Sequence, residues 1–445
     1  MSFELNASKN NLLLQPDIRT KMSEKKLNIG VVLMNLGGPT SEDNIKTFLY
    51  NLFRDEDIIR LGGGFLQDSL AGFISTIRSK KIVENYQEIN YCTKGCTGSK
   101  HCFNRKNKVV STCCSPINGL TELQRRSLEK HLKQELPEHN VKVYTAMRYW
   151  LPFATQTMED IREDGIDHVV LLPLYPQFSW TTSGSSFRDW EVIRKKQHTL
   201  DKHTNWREFV VKEYYQNRDY QRAMNERIDE ALARIPEEHR DKTHFVFTAH
   251  GTPLAEVRSG DPYTKQIEAT VESVMEMRDY DRPYWLGYQS RVGPQKWTQP
   301  NTVDLVFRLI RYGIRHVVMI PVAFVTDHIE TAMELNVELR EDIEDEGLHI
   351  DSLEVMSGIN DHPLFMKALG DEVKKIMGGT LAEPERITAL DKHSGEAGPS
   401  KADVMEKAKQ QIKSAGSGSN GKETNGQKEA VAQNGKLKEP AEAGS

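Results

Sequence analysis

GIDHVV at residues 165–170 and GIRHVV at residues 313–318 are two copies of one pattern. Each copy closes a helical stretch and opens an apolar run. The stretches before them, 155–164 and 302–312, carry apolar residues at helical spacing and stop at a glycine, a usual helix end. The runs after them are HVVLLP (His168–Pro173) and HVVMIP (His316–Pro321). Short, almost wholly apolar runs are buried on both faces and belong to parallel sheets. Similar runs stand at 29–36 (IGVVLMNL), 141–146, 244–249 (HFVFTA) and 284–289. Strand and helix alternate, so the fold class is α/β. The duplicated pattern predicts two similar, doubly wound lobes with parallel sheets facing a central cleft. Ligands of such sheets bind beyond the carboxyl ends of the strands. The loops at 37–39, 147–149, 174–176 and 250–253 are therefore expected to line the site.

The rest of the chain sets limits. Its 445 residues carry 59 Lys and Arg against 64 Asp and Glu, which excludes a dedicated basic nucleic-acid binder. No run of about 18 apolar residues occurs, so no membrane-spanning helix is expected. Residues 1–26 have neither signal-peptide nor transit-peptide composition and read as a flexible extension. A cytoplasmic location with reduced thiols is expected. The first lobe is placed at 27–180 and the second at 181–378. Residues 394–445 are rich in Gly, Ala, Lys, Glu, Ser and Asn and are expected to be disordered. Neither G-x-G-x-x-G nor a P-loop occurs, so no nucleotide is expected.

Four features carry chemistry. His250 ends a buried strand just before Gly251, where an imidazole can take a proton or bind a metal. Glu330, Glu334 and Glu338 recur every fourth residue, which puts them on one helical stripe. The stripe is either a solvated face or, if it points into the cleft, a place to bind a cation or pass protons. Residues 65–78 place Leu66, Leu70, Phe73, Ile74 and Ile77 on one side of a helix, with Arg78, Lys80 and Lys81 following. That helix is either ordinary core or a lip at an apolar ligand and a membrane surface, with peripheral contact through 65–81. Finally, Cys92, Cys96, Cys102, Cys113 and Cys114 are the chain's only cysteines, and a local metal or cluster site fits them better than a disulfide framework.

The motifs LMNLGGP (33–39), AMRYW (146–150), LPLYPQFSWTTSGSS (172–186), TAHGTP (248–253), YQSRVGPQKW (288–297) and DHIETAMEL (327–335) run in the order found in ferrochelatases, and the chain resembles that family. The resemblance implies two Rossmann-like, chelatase-type lobes. It implies an enzyme that inserts Fe²⁺, a substrate here, into a porphyrin. By motif, His250 and Glu330 match the catalytic and metal-facing pair across the cleft. Glu334, Glu338 and His328 match a proton or metal relay, and Leu36, Arg148, Tyr149, Ser115 and Trp297 match the porphyrin pocket. Leu36 and the lip resemble the protoporphyrin IX type rather than the coproporphyrin III type. A cobalt or nickel chelatase, and a non-catalytic haem or iron carrier, are the alternatives. The cysteine insertion at 91–114 resembles the internal cluster of other bacterial members. Four of its five thiols would then hold a [2Fe–2S] cluster, with zinc as the alternative.

Overall fold

The computed structural model describes residues 26–56, 64–88, 115–199, 205–290 and 295–378. Residues 1–25, all five cysteines and the expected tail at 394–445 lie outside the described residues.

Strand β1 (Asn28–Asn35) lies between β2 (Asn140–Met147) and β3 (His168–Pro173), and β4 (Arg207–Val210) pairs with β3. The order is β2-β1-β3-β4, all parallel. The second sheet repeats this plan with β5 (His244–His250), β6 (Tyr284–Gln289), β7 (His316–Pro321) and β8 (Ser352–Val355) in the order β6-β5-β7-β8. The first sheet thus draws its last strand from beyond residue 180, where the sequence analysis divides the lobes. REFV is too short and too charged to read as a strand.

Among the described residues, β1 is followed by α1 (Glu42–Phe53), α2 (Gly64–Glu88) and α3 (Pro116–Glu135). Then come α4 (Ala154–Glu163) before β3, α5 (Ser183–Thr199) before β4, and α6 (Arg218–Leu232). In the second half α7 (Tyr263–Met277) precedes β6, α8 (Thr302–Arg311) precedes β7, and α9 (Pro363–Gly378) follows β8. The duplicated sequence pattern is duplicated structure. Gly165 and Gly313 adopt φ of 63° and 91° just past α4 and α8. The amide after each glycine donates to a carbonyl five residues back, Ile166 to Ile161 and Ile314 to Leu309. This left-handed helix stop suits glycine, which has no Cβ to clash.

One apolar core serves both sheets. Val31 and Leu33 of β1, Phe245 and Phe247 of β5, Leu132 of α3 and Phe365 of α9 are all fully buried in it. Burial of each such large side chain stabilises the fold by about 1.5–3 kcal/mol. The C-terminal helix therefore packs on helices of the first half, and the two lobes share an interior. No helix among the described residues is long and apolar enough to cross a membrane.

Candidate active site

The carboxyl ends of β1 and β2 form the first wall. Gly37 has φ of 80°, and a Cβ on Gly38 would lie 2.4 Å from Ser115 Oγ. The two glycines thus let the turn press against the start of α3, where Asn118 bonds both the N–H and the carbonyl of Gly38. Buried Ser115 and half-buried Leu36 are placed by this contact. Leu36 packs with Tyr149, Trp150 and residues of α1 and α2.

Beside it Arg148 sits in a closed polar network. Its Nη2 is 2.8 Å from Asp55 Oδ2 and its Nη1 is 3.4 Å from Asp189 Oδ1. Its Nε donates to Ser185 Oγ at 2.9 Å. Tyr149 donates its hydroxyl to Asp55 Oδ2 at 2.6 Å. Burial, and then the Asp55 charge, push the Tyr149 phenol well above its usual range, so it stays a donor. Burial also raises the Asp189 carboxyl, against the pull of Arg148.

A second wall comes from β5, β6 and the segment after β7. His250 is half-buried at the end of β5 and in register with Gln289. Its ring meets Trp297 edge to face, with centroids 6.4 Å apart. A Cβ on Gly251 would come within 2.9 Å of Gln289 O and 3.3 Å of Trp297 Cε3, so the glycine allows the indole to close on the loop. A small cleft of about 80 Å³ opens behind, lined by Gln289, Ser290, Trp297, Thr298 and Asp304 among others.

The acidic stripe lies on a π-helix, Glu330–Glu338, rather than an α-helix. Such helices are rare and concentrate at functional sites. Of the stripe, Glu334 turns to the end of β6, where Ser290 Oγ donates to it at 3.1 Å and Gln289 Nε2 lies at 3.5 Å. Ser290 itself adopts φ of 60°, an uncommon conformation for a residue with a side chain. Gln289 is oriented from behind: buried Thr248 donates to its Oε1 at 2.9 Å and also contacts the Thr302 hydroxyl at 2.9 Å. Glu338 is half-buried, and the Glu330 side chain lies outside the described residues. Buried His328 sets Nδ1 3.2 Å from the Thr326 carbonyl, which can only accept, so Nδ1 carries the proton. Asp327 accepts from Asn360, Gly358 N–H and Thr331, which ties the entry of the π-helix to the loop after β8.

Helix α2 covers the first wall with an inverted pattern. Its buried face is Gln67, Ala71 and Ser75, while Phe65, Phe73 and Ile77 are 88%, 64% and 60% exposed. The helix is not ordinary core. Half-buried Ile74 and buried Ala71 join Leu36, Tyr149 and Ile329 in one apolar cluster, so the lip and the residue just before Glu330 border the same core.

The structure thus groups Leu36, Ser115, Arg148 and Tyr149 on one wall and places His250, Trp297 and Glu334 together at the ends of β5 and β6. Asp55, Thr248 and Gln289 were not singled out by sequence. Asp55 lies in FRDED, which reads as an exposed turn. Thr248 and Gln289 lie inside matched motifs, where only the strand pattern draws notice. Among the described residues no cluster of three or more His, Cys, Asp or Glu forms a ready-made metal cage.

The family model described as Ferrochelatase matches residues 28–377. A ferrochelatase of Gloeothece citriformis (strain PCC 7424) is 40% identical over 346 residues, 78% of this chain and 81% of that one. A ferrochelatase of Synechococcus elongatus is 38% identical over 365 residues, 82% of this chain and 86% of its own. Among solved structures, SirB from Bacillus subtilis with Fe3+ overlays with a TM-score of 0.44 at 11% identity, covering 80% of this chain and 100% of that one. Matched along its whole described core, and by relatives over most of their own length, the chain belongs to the ferrochelatase family and is a ferrochelatase-type lyase that inserts iron into a porphyrin.

Proposed function

We propose that the porphyrin is protoporphyrin IX and that His250 and the glutamate stripe carry the insertion. The observation that carries this reading is the register of His250 with Gln289, which sets the imidazole beside the strand end where Glu334 is held. In the reaction two pyrrole N–H bonds break, the freed nitrogen pairs bond Fe²⁺, and two protons leave with no change of oxidation state. A neutral imidazole accepts a proton from the macrocycle. The carboxylates of the stripe hold the incoming iron or take the protons onward, Glu330 first and then Glu334 and Glu338, with His328 beside them. Trp297, Leu36, Tyr149 and Ser115 shape the apolar slot. Binding energy of the large ligand offsets the bending that exposes its nitrogen lone pairs.

The lip supports the choice of porphyrin. Its exposed Phe65, Phe73 and Ile77 offer apolar surface suited to the vinyl side of protoporphyrin IX and to peripheral contact with the cytoplasmic face of a membrane. The test is iron insertion with protoporphyrin IX and coproporphyrin III in parallel. The reading requires kcat/KM to favour protoporphyrin IX by about tenfold or more, the scale of discrimination by a few apolar contacts. Equal rates, or the reverse order, would overturn it.

Five thiols within a segment bearing Lys94, Lys100, Arg105, Lys106 and Lys108 are a donor set that fits a [2Fe–2S] group. Four of Cys92, Cys96, Cys102, Cys113 and Cys114 would hold it. When bound it would supply one-electron redox capacity and a local cross-link. No step of the insertion passes through it.

A further inference from the structure

We infer that Asp55 is a positioning residue that joins the lip helix to the wall of the porphyrin pocket. The inference rests on the assignment of Arg148 and Tyr149 to that wall.

Asp55 is only 8% exposed, yet it lies just past the end of α1. One of its oxygens, Oδ2, receives three donors: Tyr149 Oη at 2.6 Å, Arg148 Nη2 at 2.8 Å and Ser185 Oγ at 2.9 Å. These donors come from the loop after β2 and from the first turn of α5. A carboxylate has about four acceptor sites over both oxygens, so this one oxygen is heavily used. Charge-assisted bonds of this kind are the strong ones, and they fix direction as well as distance.

Arg148 is correspondingly committed. Asp55 faces one end of its fork and Asp189 the other, and Ser185 takes its Nε. A propionate arriving here would have to displace a carboxylate already in place. The guanidinium therefore holds the wall and leaves substrate carboxylates to other groups. Its cation also lies over the Tyr149 ring, 5.1 Å from the centroid, so the tyrosine is braced at both its face and its hydroxyl.

The same short stretch grips the lip. Phe53 O accepts from buried Gln67 Nε2 of α2 at 2.9 Å. Arg54 pairs with Asp68 of α2 at 2.8 Å on the surface. Three consecutive residues thus bind the lip helix, through 53 and 54, and the pocket wall, through 55. A shift of α2 against the first sheet has to move Asp55 or break one of these bonds. The lip and the braced tyrosine share one anchor.

The experiment uses the full chain and steady-state insertion kinetics. Asp55→Asn keeps the shape and removes the charge. It is expected to raise the porphyrin KM by about tenfold, equivalent to about 1.4 kcal/mol, with kcat changed less than about threefold. Gln67→Ala, which frees the lip end of the anchor, is expected to raise the same KM. The double variant is expected to be no worse than Asp55→Asn, because both changes cut one link. A folded Asp55→Asn enzyme with unaltered porphyrin KM, or additive effects in the double variant, would overturn the proposal. Should Asp55→Asn fail to fold, Ser185→Ala and Tyr149→Phe each remove one donor and leave the ion pair with Arg148. Both are expected to raise KM, and no change in either overturns the link. Arg148→Leu separates the two layers. An unaltered KM there overturns the pocket assignment itself. A raised KM there with none from Asp55→Asn leaves the assignment standing and sinks the anchor.

Discussion

The two sheets share strand order and parallel sense, yet their carboxyl edges carry opposite chemistry. In the first, Arg148, Asp55, Asp189, Ser185 and Tyr149 bond one another in a closed network. In the second, His250 meets the Trp297 ring edge to face, and Glu334 accepts from the Ser290 hydroxyl with the Gln289 amide beside it. Charge-assisted bonds to a guanidinium fix direction as well as distance, so the first edge is braced. On the proposed mechanism, one duplicated scaffold has thus become a rigid wall in one lobe and a reactive wall in the other. The strands determine where each edge lies, and the loop residues determine what it does.

The largest effect should come from the reactive edge. His250→Ala is expected to cut iron insertion by about 10²–10⁴-fold, the usual loss of a general base. Porphyrin binding, followed by fluorescence titration, should survive, because the first wall is untouched. Near-normal turnover would place the chemistry elsewhere and erase the contrast between the edges.

That contrast was only partly readable beforehand. The apolar strands, the two glycine helix stops and the loop histidine stand out because local spacing encodes them. The π-helix does not, since ETAMELNVE has nothing that distinguishes it from an α-helical sequence; tertiary contacts set its hydrogen-bond register. The helix at 65–78 was readable, but its direction was not. Its apolar face proved to be the outer one, and Gln67, Ala71 and Ser75 face in, where the end of α1 offers Gln67 the Phe53 carbonyl. Asp55 was missed for a related reason. A buried anion among charged neighbours is recognisable only once its partners, 94 and 130 residues away, are in place.

The amino ends of the strands differ between lobes as well, and this predicts a pH effect. His168 at the start of β3 lies 2.6 Å from Asp167. His244 at the start of β5 instead accepts the Trp285 indole N–H, and burial lowers its pKa to about 4. The folded protein keeps this ring neutral, while the unfolded chain protonates it near pH 6.5. Its stabilising effect is therefore full above that pH and is lost as pH falls toward 4. The loss is at most about 3 kcal/mol. Urea unfolding at pH 7 and pH 4.5 should show a smaller acid loss in His244→Gln than in wild type. Equal losses would assign the proton uptake to other groups.

A smaller change is expected from Thr248→Val, which removes a hydroxyl and keeps the shape. Gln289 Oε1 and Thr302 Oγ1 each lose a buried contact, at a cost of about 1–3 kcal/mol of stability. The catalytic consequence is more informative. With its amide no longer fixed from behind, Gln289 holds Glu334 less firmly, so kcat should fall more than porphyrin binding does. A variant that loses stability with an unaltered kcat would show that the reactive edge needs Glu334 but not the chain of hydroxyls behind it.

The smallest stability effect belongs to the outer face of the lip. Phe73 and Ile77 are more than half exposed, so replacing both with Ser removes little packing, and surface changes of this kind usually stay within about 0.5 kcal/mol. An ordinary amphipathic helix would respond in the opposite way, losing several kcal/mol when its apolar residues are cut. Unfolding midpoints near wild type, together with weaker sedimentation on anionic vesicles and a raised porphyrin KM, are therefore expected of Phe73→Ser with Ile77→Ser. The control is Ala71→Ser on the buried face, which should cost stability without altering vesicle binding. If the two pairs of results were exchanged, the apolar face would be the packed one. The first wall would then end at Tyr149 with no lip to complete it.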